Sequence, residues 1–171
     1  MLSLTNQLEL KKFIKADITK KYLGFLNNKT LLRYSDQRNK IHTRKSCLKY
    51  LNNFKNTNNL FLKITLKKNL IGTCTVYLDK KNRKANIGFL LGDQKNQNKG
   101  YSTLVLKSLI RYLFKYQINK VTCGTVSNNY PMIKICKKNK MFLEARLKRE
   151  KFINNKFQDV VIYSIFNKKK K

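Results

Sequence analysis

The chain has 171 residues, of which 42% are hydrophobic, enough for one domain with a real core and too many for a disordered segment. No apolar run approaches the roughly 20 residues of a membrane helix, and the opening Met1-Leu2-Ser3-Leu4-Thr5-Asn6 lacks the basic-then-apolar order of a secretory signal, so a cytoplasmic protein with no membrane partner is expected. A formal net charge of +31 admits anionic partners and leaves only eight Asp and Glu in the chain.

In chain order, a first strand is predicted over about 7–13, where Leu8 and Leu10 alternate with Glu9 and Lys11. A helix follows over about 18–28, with Ile18, Tyr22, Leu23, Phe25 and Leu26 as its apolar stripe. Thr43 is a suitable N-cap for a second helix over about 44–54, carrying Cys47, Leu48, Leu51 and Phe54 at helical spacing. Three strands then read as an antiparallel meander. Leu60, Leu62, Ile64 and Leu66 alternate in the first, Leu70 to Leu78 in the second, and Ala85 to Leu91 in the third, with a polar turn at Asp79–Arg83.

After Gly100 the period changes. Val105, Leu106, Leu109, Ile110 and Leu113 mark one face of a helix of about 15 residues. A short strand is predicted over 121–126 and a helix over about 131–140, with Pro131 in its first turn. Two strands, at about 142–153 and 157–166, close the chain around Asn154-Asn155, a pair that tolerates the positive φ of a tight hairpin.

The charge is carried by 32 Lys and only seven Arg, with 21 Asn beside them, spread along the whole chain. Readers of nucleic acid favour Arg for its planar fork. Lys, Asn and Ile share A+T-rich codons, so biased coding accounts for the composition and nucleic acid is not the expected partner. A basic nucleic-acid-binding module without catalysis stays as the alternative from another class, on the charge and on Tyr112, Phe114 and Tyr116 among the lysines. Cys47, Cys74, Cys123 and Cys136 show no C-x-x-C spacing, so reduced thiols are expected, with no metal and no disulfide framework.

The informative stretch is Ile87-Gly88-Phe89-Leu90-Leu91-Gly92-Asp93, followed by Gln94 to Thr103. It reads as a strand, a polar loop with glycine, and a helix start. A helix start offers unpaired N–H groups and the positive end of a dipole, and small residues let a phosphate approach them. Gln97 to Ser102 thus reads as an anion cradle with Lys99 adding charge, or as a turn that Gly100 relaxes before a helix. The Walker pattern G-x-x-x-x-G-K-[ST] is absent.

Gln97-Asn98-Lys99-Gly100-Tyr101-Ser102 resembles the Q/R-x-x-G-x-G/A loop of the GNAT-type N-acetyltransferases, with that family's strand before it and helix after it. Ile87–Asp93 resembles the I-G-x-x-I-G-D form of the branch with ribosomal-protein and amino-sugar acetyltransferases. Downstream, Asn129–Asn139 resembles the family's N-x-x-S/A-I-x-x-Y/A-x-K helix, and 143–150 and 157–163 its closing strands. Upstream, Tyr22–Asn27, Arg33–Arg38 and His42-Thr43 resemble the substrate-side helices of the same branch. The likeness spans about 7–166. Four departures stand out: Asn98 and Ser102 in the loop, Asn86 where many members have Glu, Lys140-Met141 where Gly-Phe is usual, and Cys136 where some members have a Tyr that protonates the leaving thiolate.

The resemblance implies an α/β (α+β) GNAT fold: a central mixed, mostly antiparallel sheet of about seven strands flanked by about four helices, as one domain over 1–166 with a frayed basic tail over 167–171. It implies acetyl-CoA as co-substrate and a primary amine as acceptor, attacking directly in a ternary complex. The third meander strand would splay from its neighbour, with pantetheine in the gap. Backbone groups of Leu90, Leu91 and Gly92 would pair with pantetheine and polarise the thioester, one N–H supplying about 3–4 kcal/mol at the oxyanion. Gln97, Asn98, Lys99, Gly100, Tyr101 and Ser102 would hold the pyrophosphate, and Asn129 would position the cofactor. His42, the only histidine, would be a base or an acceptor ligand, or else a plain helix-start residue. Arg38 would grip an acidic acceptor or is a surface charge; Cys136 would be the acid or is a core thiol. An amino sugar or nucleotide-linked amino sugar is the favoured acceptor. A ribosomal-protein N-terminus, a polyamine or an antibiotic are the alternatives, and a non-catalytic relative that still binds coenzyme A is a third reading. A homodimer is compatible with each.

Overall fold

The computed structural model describes residues 2–5 and 7–168. The tail expected over 167–171 therefore lies, for residues 169–171, outside the described residues. Eight strands form one mixed sheet in the order β1-β2-β3-β4-β5-β6-β8-β7. They are β1 (Leu2–Ser3), β2 (Leu8–Lys12), β3 (Leu60–Leu66), β4 (Asn69–Asp79), β5 (Lys84–Leu91), β6 (Lys120–Val126), β7 (Phe142–Ile153) and β8 (Lys156–Phe166). The four α-helices are α1 (Lys20–Leu26), α2 (Arg44–Asn52), α3 (Tyr101–Lys115) and α4 (Tyr130–Lys138). All seven expected strands and all four helices are present, and the two-residue β1 is an addition. Two compact units are recognisable, one of residues 1–76 and 89–101, the other of 77–88 and 102–171.

In the N-terminal unit β1, β2, β3 and β4 pair antiparallel with their sequential neighbours. Burial in β3 does not follow the strict alternation expected, and its register on β4 shifts between Ile64 and Thr65, where Ile71 of β4 is the extra residue. Phe61 before that shift and Ile64 beside it are both buried, so opposite faces of the strand are covered. The β3–β4 hairpin turns on Lys67-Lys68, both at positive φ (48° and 66°), a conformation in which lysine has no sequence signal. Thr19 caps α1 by accepting from Tyr22 N, and Thr43 caps α2 as expected, accepting from Ser46 N while Ser46 Oγ accepts from Thr43 N. α1 and α2 close over Phe13, Ile18, Tyr22, Cys47 and Phe61, with the Phe13 and Phe61 rings stacked at 4.5 Å. Each such buried side chain contributes about 1.5–3 kcal/mol, and burial pushes the Tyr22 phenol pKa up.

In the other unit α3 buries Val105, Leu106, Leu109, Ile110 and Leu113, the face its period marked. β8 joins β6 and β7 antiparallel. The two-residue turn between β7 and β8 is Asn154-Asn155 at φ 50° and 57°, as the pair suggested. β5 and β6 run parallel, and their ladder has three pairs, from Lys84–Lys120 to Asn86–Thr122. Residues 87–91 of β5 lie beyond that ladder. Helix α4 ends with Lys140 N donating to Lys137 O and Met141 N to Cys136 O, which places Lys140 at φ 59°. This is the closure that glycine usually makes, and a side chain there costs about 1–2 kcal/mol.

Candidate active site

The loop between β5 and α3 is built almost wholly on main chain. Gly92 N and Asp93 N both donate to Ile71 O, at 2.9 and 3.0 Å. A Cβ on Gly92 would stand 2.1 Å from the Phe25 ring, so only glycine fits under that ring. A Cβ on Gly72 would stand 2.3 Å from Leu90 O, so β4 approaches Leu90 more closely than any side chain permits. Asp93 accepts from Lys95 N and pairs with Lys21 at 3.6 Å, holding the turn over Gln94–Asn96. Gln97 Nε2 donates back to Leu91 O at 3.2 Å.

Two loop residues have left-handed backbones: Asn98 at φ 60° and Gly100 at φ 82°. Asn is the side chain best suited to that region after glycine, which accounts for its standing where the family usually has Gly. At Gly100 nothing lies within 4 Å of where a Cβ would be. The main chain can therefore be approached there, in front of a 15-residue helix whose first N–H groups have no intrahelical acceptor. Lys99 is exposed, Tyr101 is half-buried, and Ser102 is buried in the first turn of α3. These features fit a diphosphate.

The expectation for Leu90–Gly92 is refined in one respect. Gly92 N–H already serves Ile71 O. Backbone groups alternate in direction along a strand. With Gly92 N turned toward β4, Leu91 N–H and C=O point to the opposite edge, where Gln97 reaches the carbonyl. Leu91 N–H is thus the one turned away from β4.

In the same unit, Asn27 pins the main chain of His42 from both sides, accepting from its N at 2.8 Å and donating to its O at 2.9 Å. The His42 ring is half-buried, with Nε2 3.3 Å from Gln37 O. A proton on Nε2 completes that bond and leaves Nδ1 as the ring's lone pair. Arg38 is held against its own turn. Its side chain is only 13% exposed, donates to Ser35 O at 2.9 Å and lies 3.9 Å from Asp36.

In the other unit Asn129 caps α4, accepting from Met132 N at 3.4 Å, and donates to Thr125 Oγ1 at 2.8 Å. Beside it, Asn128 Oδ1 is a buried side-chain oxygen with no hydrogen-bond partner, a feature that the sequence did not single out. Cys136 and Cys123 are both fully buried. A hydrogen bond from the Cys123 thiol favours the Cys136 thiolate and draws its pKa below the ordinary thiol value, against burial, which pushes it up. Asn86 Nδ2 donates to Thr122 Oγ1 at 2.9 Å, a ladder-end contact with no acid–base capacity.

Sequence reasoning also passed over Gly72 and Ile71. The signal for Gly72 was present, since a glycine inside a β run marks a close backbone approach. The carbonyl of Ile71 has no signal, because any residue supplies one.

A family model described as the acetyltransferase (GNAT) domain matches residues 7–141. No curated protein sequence matches the chain significantly. Among solved structures, the RimL ribosomal-protein α-N-acetyltransferase in complex with coenzyme A is similar with a TM-score of 0.87 at 18% identity, covering 96% of either chain. Spermidine N-acetyltransferase from Vibrio cholerae, with coenzyme A and spermine, gives 0.85 at 20% identity, covering 96% of this chain and 98% of its own. The microcin self-immunity acetyltransferase MccE, with acetyl-CoA and AMP, gives 0.85 at 20% identity over 95% and 94%. At these identities the likeness is one of fold. No helix among the described residues is long and apolar enough to cross a membrane.

Proposed function

The chain belongs to the GNAT acetyltransferase family, and from that premise we propose that it moves the acetyl group of acetyl-CoA to the amine of an amino sugar or nucleotide-linked amino sugar. The observation that carries the acetyl-CoA part is the loop at 97–100: two left-handed residues, open space at Gly100, and a long helix directly behind. Gln97 to Ser102 hold the pyrophosphate, which gains from the helix dipole and from Lys99. Leu91 N–H, turned away from β4, polarises the thioester carbonyl, a contribution of about 3–4 kcal/mol if it strengthens at the oxyanion. Holding donor and acceptor together supplies much of the remaining rate. We read residues 1–166 as one catalytic domain.

The acceptor part rests on the N-terminal half. Arg38 and His42 lie in the segment that resembles the substrate side of the amino-sugar branch. His42 Nδ1 is the lone pair available to take the amine's proton. Cys136, fully buried against Cys123, reads as a packing thiol before it reads as an acid. Incubating the purified protein with acetyl-CoA and a panel of amino-sugar nucleotides, then following free thiol, tests the proposal. Release with at least one is expected. Release only with a ribosomal-protein N-terminal peptide, or only with a polyamine, would replace the sugar with that acceptor. No release with any amine, combined with tight binding of coenzyme A, would leave a binding protein without turnover.

A further inference from the structure

The charge that the acceptor must carry follows from how the carboxylates are used, given the acetyltransferase reading on which this inference rests. The N-terminal unit has four, and each lies against a cation of the same unit: Glu9 with Lys11 at 2.7 Å, Asp17 with Lys63 at 2.6 Å, Asp93 with Lys21 at 3.6 Å, and Asp36 with Arg38 at 3.9 Å. Binding a polyamine calls for carboxylates to balance several ammonium groups that leave water. Here each carboxylate already has a partner.

The stretch 20–45, which encloses the segments 22–27, 33–38 and 42–43 that resemble the acceptor side of the family, carries eight Lys and Arg and a single carboxylate, Asp36. Lys20, Lys29, Lys40 and Lys45 are exposed, and no ion pair engages them among the described residues. Screening in dilute salt sets in only beyond about 10 Å, so each such charge acts on an anionic ligand that comes within that range.

We infer that the acceptor is an amine bearing an acidic group, a phosphate or a carboxylate, and that the cationic 20–45 segment selects it over neutral and polycationic amines. The attraction raises association rates by about 10- to 1,000-fold in favourable cases and fades with salt. The field has a second effect. A positive surrounding disfavours the ammonium form, so it lowers the pKa of the bound amine and presents more of the neutral nucleophile. That eases attack without a strong dedicated base.

The test uses matched acceptors: glucosamine with glucosamine 6-phosphate, two short peptides that differ only in Asp or Lys after the first residue, and spermidine. Thiol release is measured at about 20 mM and about 200 mM salt. Within each pair the acidic member is expected to have a kcat/KM about tenfold higher at low salt, with the ratio shrinking at high salt. The double variant Lys29→Glu, Lys40→Glu should raise KM for the acidic member several-fold and leave coenzyme A affinity unchanged, with a much smaller effect on the uncharged sugar, which loses only the effect on its amine. Equal rates within the pairs, a ratio indifferent to salt, or preference for spermidine would overturn the inference while the acetyltransferase reading stands. No thiol release and no coenzyme A binding would fell that reading and this inference with it.

Discussion

Segments 89–101 and 123–141, one in each unit, carry the residues proposed for the donor and are built from different material. The first works through main chain. The elements proposed there are the N–H of Leu91, two left-handed residues and the exposed turn before α3, and its glycines make room for them. The second works through side chains: the Asn129 cap, the orphaned Asn128 oxygen and the Cys123–Cys136 contact. Backbone recognition tolerates changes of side chain as long as the path of the chain survives. Side-chain recognition does not. On the proposed reading, Asn98 and Ser102 would therefore leave the loop serviceable, whereas Cys136 would change what the other segment can do.

The sharpest way to break this contrast is at Gly72. Gly72→Ala sets a methyl 2.3 Å from Leu90 O, which cannot move without moving β5. A loss of about 3 kcal/mol in denaturant unfolding is expected, together with loss of coenzyme A binding. Next comes Gly100→Val. Nothing in the fold obstructs the new side chain, so stability should fall by only about 1–2 kcal/mol, from the left-handed backbone. Coenzyme A affinity should fall by more than about 100-fold, near 2.7 kcal/mol. Calorimetric binding that survives this substitution would detach the loop from the diphosphate.

Smaller effects probe the side-chain segment. Cys136→Ala should lower kcat by less than about tenfold, or 1.4 kcal/mol of barrier, if the thiol is packing. A fall beyond about 100-fold, with the pH profile of kcat altered on its alkaline limb, would make Cys136 the acid. Lys140→Gly relieves a residue at φ 59°. It should raise the unfolding midpoint by an amount equal to about 1 kcal/mol and leave turnover unchanged. A drop in stability there would mean that the lysine side chain contributes a contact that outweighs the backbone strain.

Much of the fold was legible because the chain states its periods plainly. The α3 stripe, the Asn154-Asn155 hairpin and the Thr43 cap each rest on local rules that hold within a few residues. β3 was misread as a simple alternation, since Phe61 and Ile64 are covered on opposite faces and that cover, like the extra residue Ile71 in the facing strand, is set by packing and register. The Lys67-Lys68 turn carried no signal either, because neither residue favours positive φ and only the pairing of Leu66 with Asn69 forces it. Among the site residues, the loop was found from glycine and spacing. The engagement of Gly92 N–H by Ile71, the near burial of Arg38 in its own turn and the orphaned Asn128 oxygen were not, since each depends on a partner or a cover distant in the chain or set by packing.

What the sequence determined alone was the order of helices and strands and the glycine turn that opens the long helix, because hydrophobic period, caps and glycine act over one or two turns of chain. The tertiary structure decided which N–H groups after β5 are already engaged by Ile71, which carboxylates of the N-terminal unit are already paired and where the β5–β6 ladder ends. Those outcomes are set by pairing register and by close approach between segments far apart in sequence, and no local pattern of residues encodes them.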